Sequence, residues 1–344
     1  MCATDWLVRG ELMVKLGVVG VGHIGHYHAE KYSQLNDVVE LVAVCDIDQT
    51  RADDFARKFA TTPVYDYKDL APMVDAVSIT VPTMLHFEVA KYFIINGVHV
   101  LLEKPMTCTL DEADELIYLA DKYGVVLQIG HLERFNSVIQ ALEGELLDPR
   151  FIESARLSTF HLRGTDVNVA LDLMIHDIDI IQSLVKSPVA RIAANGAAVL
   201  TPYIDIANAR IEFANGCVAN VTASRISAKV ERSMQIFQHD GYFALNLKDK
   251  SLVEHRKGEK EMYPGIPEML RTGRNFAESD SLYQQCKSFV KAINGGKVTV
   301  TGQDGRDALK IAIDITHIVH QSDGWCQSSL ARKRAASGLK VVGA

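Results

Sequence analysis

Over the first 130 positions, apolar residues fall in short uninterrupted runs separated by stretches of helical spacing, and the runs show no polar alternation. Strands of a parallel sheet covered by helices on both faces read this way, because neither face meets water. The pattern predicts strands at 15–21, 39–46, 76–81, 98–103 and 125–129, with helices at 24–34, 50–60, 86–96 and 111–123. After about residue 150 the rhythm changes. Strand-like segments at 151–160, 190–200, 204–213, 217–226, 233–239 and 242–248 are joined by short turns such as Ala-Asn-Gly and His-Asp-Gly, which predicts a mostly antiparallel sheet. One helix at 168–186 precedes most of it, and helical patterns at 278–294 and 304–321 follow. The expected architecture is an α/β domain over 13–130 and an α+β domain with a large open sheet over 131–325. A second-domain sheet with one uncovered face would be an apolar liability, so a homodimer or homotetramer packed face to face is expected.

Composition narrows the function classes. The 344 residues are 48% hydrophobic and 23% charged, with a formal net charge of -7 and scattered Lys and Arg, so no nucleic-acid footprint is present. A basic stretch near the C-terminus, "ARKRAASGLK", reads as a solvated tail, and residues 1–12 have no clear periodicity. Six widely spaced cysteines show no zinc-ligand spacing and fit a reducing compartment. No apolar run approaches a membrane span and no signal-peptide order is present, so a cytoplasmic location is expected.

The first candidate chemistry is Gly20-x-Gly22-x-x-Gly25, with His23 and Ile24 inside it, between the first strand and first helix. Glycines there allow a tight turn, close approach of a pyrophosphate and helix-on-strand packing, and the helix N-terminus faces the phosphates. Asp46 ends the second strand 21 residues after Gly25, where a carboxylate binds the adenosine ribose, although a helix cap is its alternative role. A free carboxylate repels a 2'-phosphate, and Ile47 and Asp48 bring no compensating arginine, so NAD is expected over NADP. The reading is a Rossmann dinucleotide-binding domain. Val81, Pro82, Thr83 and His86 follow the third predicted sheet strand and are candidate nicotinamide-side residues. His23, His26 and His28 do not share a helix face, so no metal site is expected.

Further along, Glu103-Lys104-Pro105 stands at a strand end, where ligands of open parallel sheets sit. Taken alone, Lys104 could be an exposed lysine paired with Glu103. The helix "VALDLMIHDIDIIQSLVK" is apolar nearly all round, with a polar line of Asp172, His176, Asp179 and Ser183. His176 suits proton abstraction near neutral pH, and Asp172 one turn earlier can fix its tautomer; a satisfied core pair is the alternative.

Glycine loop, Asp46, the Glu-Lys-Pro segment and the Asp-x-x-x-His helix together resemble the Gfo/Idh/MocA family, which includes glucose-fructose oxidoreductase and myo-inositol dehydrogenase. The resemblance covers nearly the whole chain. It implies an NAD-dependent dehydrogenase in which Lys104 contacts nicotinamide ribose and reacting hydroxyl, the peptide before Pro105 is often cis, His176 is the general base and Asp172 its partner. Glu103 would border the cofactor. "QIGHLERFN" (128–136) and "NVTASRIS" (220–227) are most similar to the subgroup that oxidises the nucleotide sugar UDP-N-acetylglucosamine at its 3-position, feeding diamino-sugar and lipid A synthesis. Ser137 departs from that pattern, where proline is expected. His131, Arg134, Asn136 and Arg163 are candidate substrate contacts, and Arg225 and Arg232 are further guanidinium candidates for a diphosphate, each with a surface ion pair as alternative. A free-sugar or polyol dehydrogenase is the competing enzyme reading. A catalytically silent dinucleotide-sensing regulator is the competing non-enzyme reading, and it predicts loss of the Lys, Asp or His, all of which are present.

Overall fold

The computed structural model describes residues 13–145, 148–161, 167–276 and 278–337, with side chains to residue 321. The chain begins with β1 (Val14–Val19), α1 (Gly25–Gln34), β2 (Val39–Cys45), α2 (Gln49–Phe59), β3 (Thr62–Val64), α3 (Tyr67–Leu70), β4 (Ala76–Ile79), α4 (His86–Ile95), β5 (His99–Glu103), α5 (Leu110–Tyr123) and β6 (Leu127–Gly130). These strands form a parallel sheet in the order β3-β2-β1-β4-β5-β6. The order reverses between β1 and β4, which is where doubly wound sheets open a crevice for ligands. Strand β3 was not anticipated. It is three residues long at the sheet edge and contains Pro63, which an edge strand tolerates because one side of its backbone has no ladder to join.

There follow α6 (Ser137–Gln140), β7 (Phe151–Leu157), a π-helical turn (Ala170–Met174) running into α7 (Ile175–Val185), and strands β8 (Val189–Ala197), β9 (Ile206–Phe213), β10 (Val218–Ser224), β11 (Glu231–Gln238), β12 (Gly241–Asn246), β13 (Ser251–Tyr263) and β14 (Ile266–Asn275). The last elements are α8 (Ser281–Ile293) and α9 (Gly302–Ser337). The eight-stranded sheet runs β14-β13-β12-β11-β7-β10-β9-β8, antiparallel except where β7 pairs β10. One face packs against α7 and α9 through residues such as Ile152, Val221, Ile236, Ile178, Ile311 and Ile315. The other face carries polar positions, among them Asn208, Arg210, Thr222 and Gln235, together with a row in which Phe237, Tyr242 and His255 stack and Phe151 tilts against Phe237.

Two compact units result: the described residues up to Phe135 with Asp280–Arg306, and Asn136–Ser279 with the residues from Asp307 on. This differs from a simple division at residue 130. Cys286, Phe289 and Val290 of α8 are buried in one cluster with Leu16, Val18, Ala29 and Tyr32, and Asp280 caps α8 while pairing with Lys31 of α1 at 3.1 Å. Burial of that α8 face outweighs chain proximity to the second sheet. No helix among the described residues is long and apolar enough to cross a membrane.

Candidate active site

The loop after β1 has the backbone that its glycines permit. Gly20 has φ +87°, in the left-handed region. A Cβ on Gly25 would stand 1.9 Å from the Gly20 carbonyl oxygen and 2.4 Å from Thr80 Oγ1, so α1 packs on the loop more closely than any side chain allows. At Gly22 a Cβ would meet nothing within 4 Å, leaving the backbone open to an incoming group. A close-packed helix start beside an open loop fits a dinucleotide pyrophosphate. Ile24 is the N-cap residue of α1, and His23 is exposed.

Asp46 is 6% exposed at the end of β2 and accepts the Asp48 backbone N–H at 3.0 Å. Its carboxylate is not free: Arg51 in the first turn of α2 places Nη1 3.3 and 3.2 Å from its two oxygens. The compensating arginine absent from positions 47 and 48 comes five residues on, brought back by one helical turn. It also pairs with Asp48 at 3.3 Å.

The three loop histidines diverge. His26 Nδ1 lies 2.9 Å from the Gly22 carbonyl with its ring stacked on Phe55, whereas His28 is fully buried. Among the described residues no group of three or more His, Cys, Asp or Glu is arranged to hold a metal. His28 instead lies behind the Glu-Lys-Pro segment: Nδ1 is 2.7 Å from Ser78 Oγ and Nε2 is 3.3 Å from Glu103 Oε1. Gln285 of α8 donates to the same oxygen at 3.4 Å, and the Lys104 N–H donates to Oε2 at 3.3 Å. Burial alone would raise the Glu103 pKa, but the facing His28 and the Lys104 charge outweigh it and hold the carboxyl below its ordinary value. Gly130 on β6 leaves the room, since a Cβ there would sit 2.4 Å from Glu103 Oε1. Neither His28 nor Gln285 was singled out from sequence as part of this site. His28, three residues after Gly25 on the buried face of α1, carried a usable signal; Gln285, 182 residues from Glu103, carried none.

Lys104 is half-buried, and the Lys104–Pro105 peptide is cis. The exit from this turn is fixed by a reciprocal cap in which Thr109 and Glu112 close the first turn of α5. Val81 and Thr83 are half-buried and Pro82 exposed after β4. His86, expected beside the nicotinamide, is 1% exposed, with ring nitrogens 2.9 Å from the Val81 and Pro105 carbonyl oxygens. Both ring nitrogens thus face the protein's own backbone.

In the second unit, Asp172 lies in the π-helical turn and His176 in α7, both half-buried. A continuous α-helix over 168–186 was expected. The wider turn starts where Asn168 Oδ1 accepts from the Ala170 and Leu171 N–H groups. A four-residue step in an α-helix overshoots a full turn by about 40°; the i→i+5 turn reduces the overshoot and brings Asp172 and His176 nearer to one line. Such turns are frequent at functional sites. Next to His176, Asp177 forms a buried ion pair with Arg156 of β7, Nε to Oδ2 at 2.6 Å, and accepts from Ser154 Oγ at 3.0 Å.

The substrate candidates separate. His131 is buried just past β6, and Arg134, half-buried, has Nη2 3.5 Å from the Thr299 carbonyl oxygen. Asn136 Oδ1 caps α6 by accepting the Val138 N–H, and its Nδ2 donates to the Leu247 carbonyl. Ser137 is the first residue of α6, a position that proline also suits, and its hydroxyl lies 2.7 Å from that of Ser279. Arg225 is 4% exposed and donates to the Val167 carbonyl, with Asp205 4.0 Å away. Arg232 is exposed at the start of β11, and Arg163 lies outside the described residues.

Comparison with known proteins meets this geometry. The model of the Gfo/Idh/MocA oxidoreductase family, NAD-binding Rossmann fold, matches residues 14–131, and the Gfo/Idh/MocA C-terminal domain matches 139–244. A UDP-N-acetylglucosamine 3-dehydrogenase of Acidithiobacillus ferrooxidans is 36% identical over 304 residues, covering 88% of this chain and 96% of that protein. A solved structure of the same name and organism shows a TM-score of 0.83 at 34% identity over 90% of this chain and 98% of that one. Myo-inositol 2-dehydrogenase of Thermotoga maritima is 25% identical, with 96% of this chain and 100% of that protein covered. A scyllo-inositol dehydrogenase of Lactobacillus casei, solved with NAD(H) and scyllo-inositol, shares the fold at a TM-score of 0.75 and 20% identity over 90% and 98% of the two chains. Both units are thus matched in chain order, and the chain belongs to the Gfo/Idh/MocA oxidoreductases, NAD-dependent dehydrogenases that act on a hydroxyl group.

Proposed function

We propose that the chain oxidises the 3-hydroxyl of UDP-N-acetylglucosamine to a ketone. The observation that carries this reading is the 36% identity to a protein named for that reaction, extending over 88% of the chain and 96% of the relative. NAD, when bound, supplies the hydride acceptor. His176 accepts the hydroxyl proton, and Asp172 fixes the imidazole tautomer and favours its charged form. Lys104 stabilises the developing alkoxide. Asp46 holds the adenosine ribose and the loop from Gly20 to Gly25 the pyrophosphate, with Val81, Pro82 and Thr83 toward the nicotinamide. His131 and Arg134 are proposed sugar-nucleotide contacts.

The test is NADH formation by the purified protein with UDP-N-acetylglucosamine, UDP-glucose, glucose and myo-inositol, with the keto-sugar identified by mass. UDP-N-acetylglucosamine should give the highest kcat/KM; a higher value with myo-inositol or glucose overturns the reading. Lys104→Ala and His176→Ala should each lower turnover by about a hundredfold or more while NADH binding persists. Near-wild-type turnover in either removes that residue from the chemistry.

A further inference from the structure

Two neighbouring strand ends flank the proposed reacting lysine, and one buried side chain spans them. His86 opens α4 after the short turn Thr83–Leu85 that follows β4, and its ring stands between the Val81 carbonyl, past β4, and the Pro105 carbonyl, past β5. Both oxygens are 2.9 Å from a ring nitrogen. A neutral imidazole has one N–H and can donate to only one of them. The two carbonyls differ in their surroundings: the Nδ1 contact with Pro105 is buried, whereas the Nε2 contact with Val81 is partly accessible. A buried carbonyl deprived of a donor loses stability that water cannot restore, while an accessible one can turn to solvent. The proton is therefore favoured on Nδ1.

We infer that His86, as the Nδ1–H tautomer, is a positioning residue that holds Lys104 by donating to the Pro105 carbonyl. The Pro105 carbonyl lies in the peptide unit one beyond the lysine; because the pyrrolidine ring locks the φ of Pro105, holding that carbonyl restrains the proline ring and, through it, the C-terminal side of Lys104. The Glu103 carboxylate, which accepts the Lys104 N–H at 3.3 Å, anchors the other side of the same residue. Backbone is thus held before and after the lysine. Burial pulls the His86 pKa below the ordinary histidine value more strongly than the Pro105, Val81 and Met106 backbone groups and the Glu103 charge raise it, which favours the neutral ring and makes the tautomer the variable that matters. The inference rests on the role of Lys104 proposed above.

Asparagine and glutamine separate the two contacts, because the Asn amide nitrogen falls near the place of Nδ1 and the Gln amide nitrogen near that of Nε2. His86→Asn should keep kcat within about threefold of wild type, whereas His86→Gln and His86→Ala should lower it by about tenfold to a hundredfold with little change in sugar KM. Full kcat in His86→Ala, or equal losses in His86→Asn and His86→Gln that follow their melting temperatures, overturns the inference. A second measurement needs no substrate and no variant activity. In wild-type protein labelled with 15N-histidine, the resonances lost in His86→Asn should show a protonated Nδ1 and an unprotonated Nε2 at pH 7.5. The opposite tautomer, or a doubly protonated ring, refutes the inference even if the sugar assignment holds. If the tautomer is as stated but no nucleotide sugar is turned over, the functional reading fails and the backbone clamp stands.

Discussion

Removing the carboxylate of Asp177 tests how the helix bearing His176 is held. Asp177 and Arg156 are 1% and 5% exposed, joined by Nε–Oδ2 at 2.6 Å and Nη2–Oδ1 at 3.3 Å, with Ser154 Oγ adding a bond of 3.0 Å. Asp177→Ala leaves a guanidinium buried without its carboxylate, which typically costs about 3–5 kcal/mol. At about 2–4 °C per kcal/mol for a unit of this size, the melting temperature should fall by on the order of 6–20 °C. Replacing both partners, as in Arg156→Leu/Asp177→Leu, should recover most of the loss, because the penalty comes from the stranded charge and not from absence of the pair. Differential scanning calorimetry of the two variants decides. A fall below about 3 °C in the single variant, or a double variant as unstable as the single, refutes the reasoning.

Three further outcomes follow from the first unit. Gly25→Ala should weaken NADH binding by about a hundredfold, or ~2.8 kcal/mol, because the added methyl would lie 1.9 Å from the Gly20 oxygen; a fluorescence titration with unchanged Kd contradicts this. Glu103 has a folded pKa below its unfolded value, so its contribution is complete above about pH 4.3 and is lost as pH falls through the folded pKa. The stability difference between wild type and Glu103→Gln, from urea titrations, should be constant between about pH 6 and 8 and close in acid; a difference that widens in acid contradicts the sign. Asp46→Ala removes the carboxylate and leaves Arg51, so the kcat/KM ratio should move toward NADP by about tenfold or more, and an unchanged ratio of the two cofactors would place Arg51 away from the 2'-position.

The parts legible from sequence are those written in local periodicity. Uninterrupted apolar runs marked the parallel strands, and strand-like segments joined by short turns marked the second sheet, in which β9 buries Ala207, Ala209 and Ile211 and exposes Asn208 and Arg210. The β13–β14 hairpin escaped because it has no buried face along most of its length: Lys257, Glu259 and Lys260 alternate with nothing apolar, and Met262, Tyr263, Ile266 and Leu270 are exposed. Candidate chemistry was legible where a short motif sits at a strand end. Partners distant in sequence were not: Gln285 to Glu103, Arg156 to Asp177 and Phe289 to the first core depend on tertiary pairing that no local pattern encodes. Arg51 and the π-turn were missed for another reason, since each depends on how one helical turn places a side chain or widens.

The discontinuity of the first unit has a consequence for how the chain is made. Its N-terminal part ends at Phe135 and its last core residues begin at Asp280, so 144 residues must leave the ribosome in between. At about 5–20 residues per second this takes roughly 7–30 s. During that interval the nascent sheet presents to solvent, or to a chaperone, the apolar patch on α1 that Phe289 and Val290 later cover. Ribosomes stalled just before residue 280 should therefore carry a first unit more open to protease than ribosomes stalled after α8 has emerged.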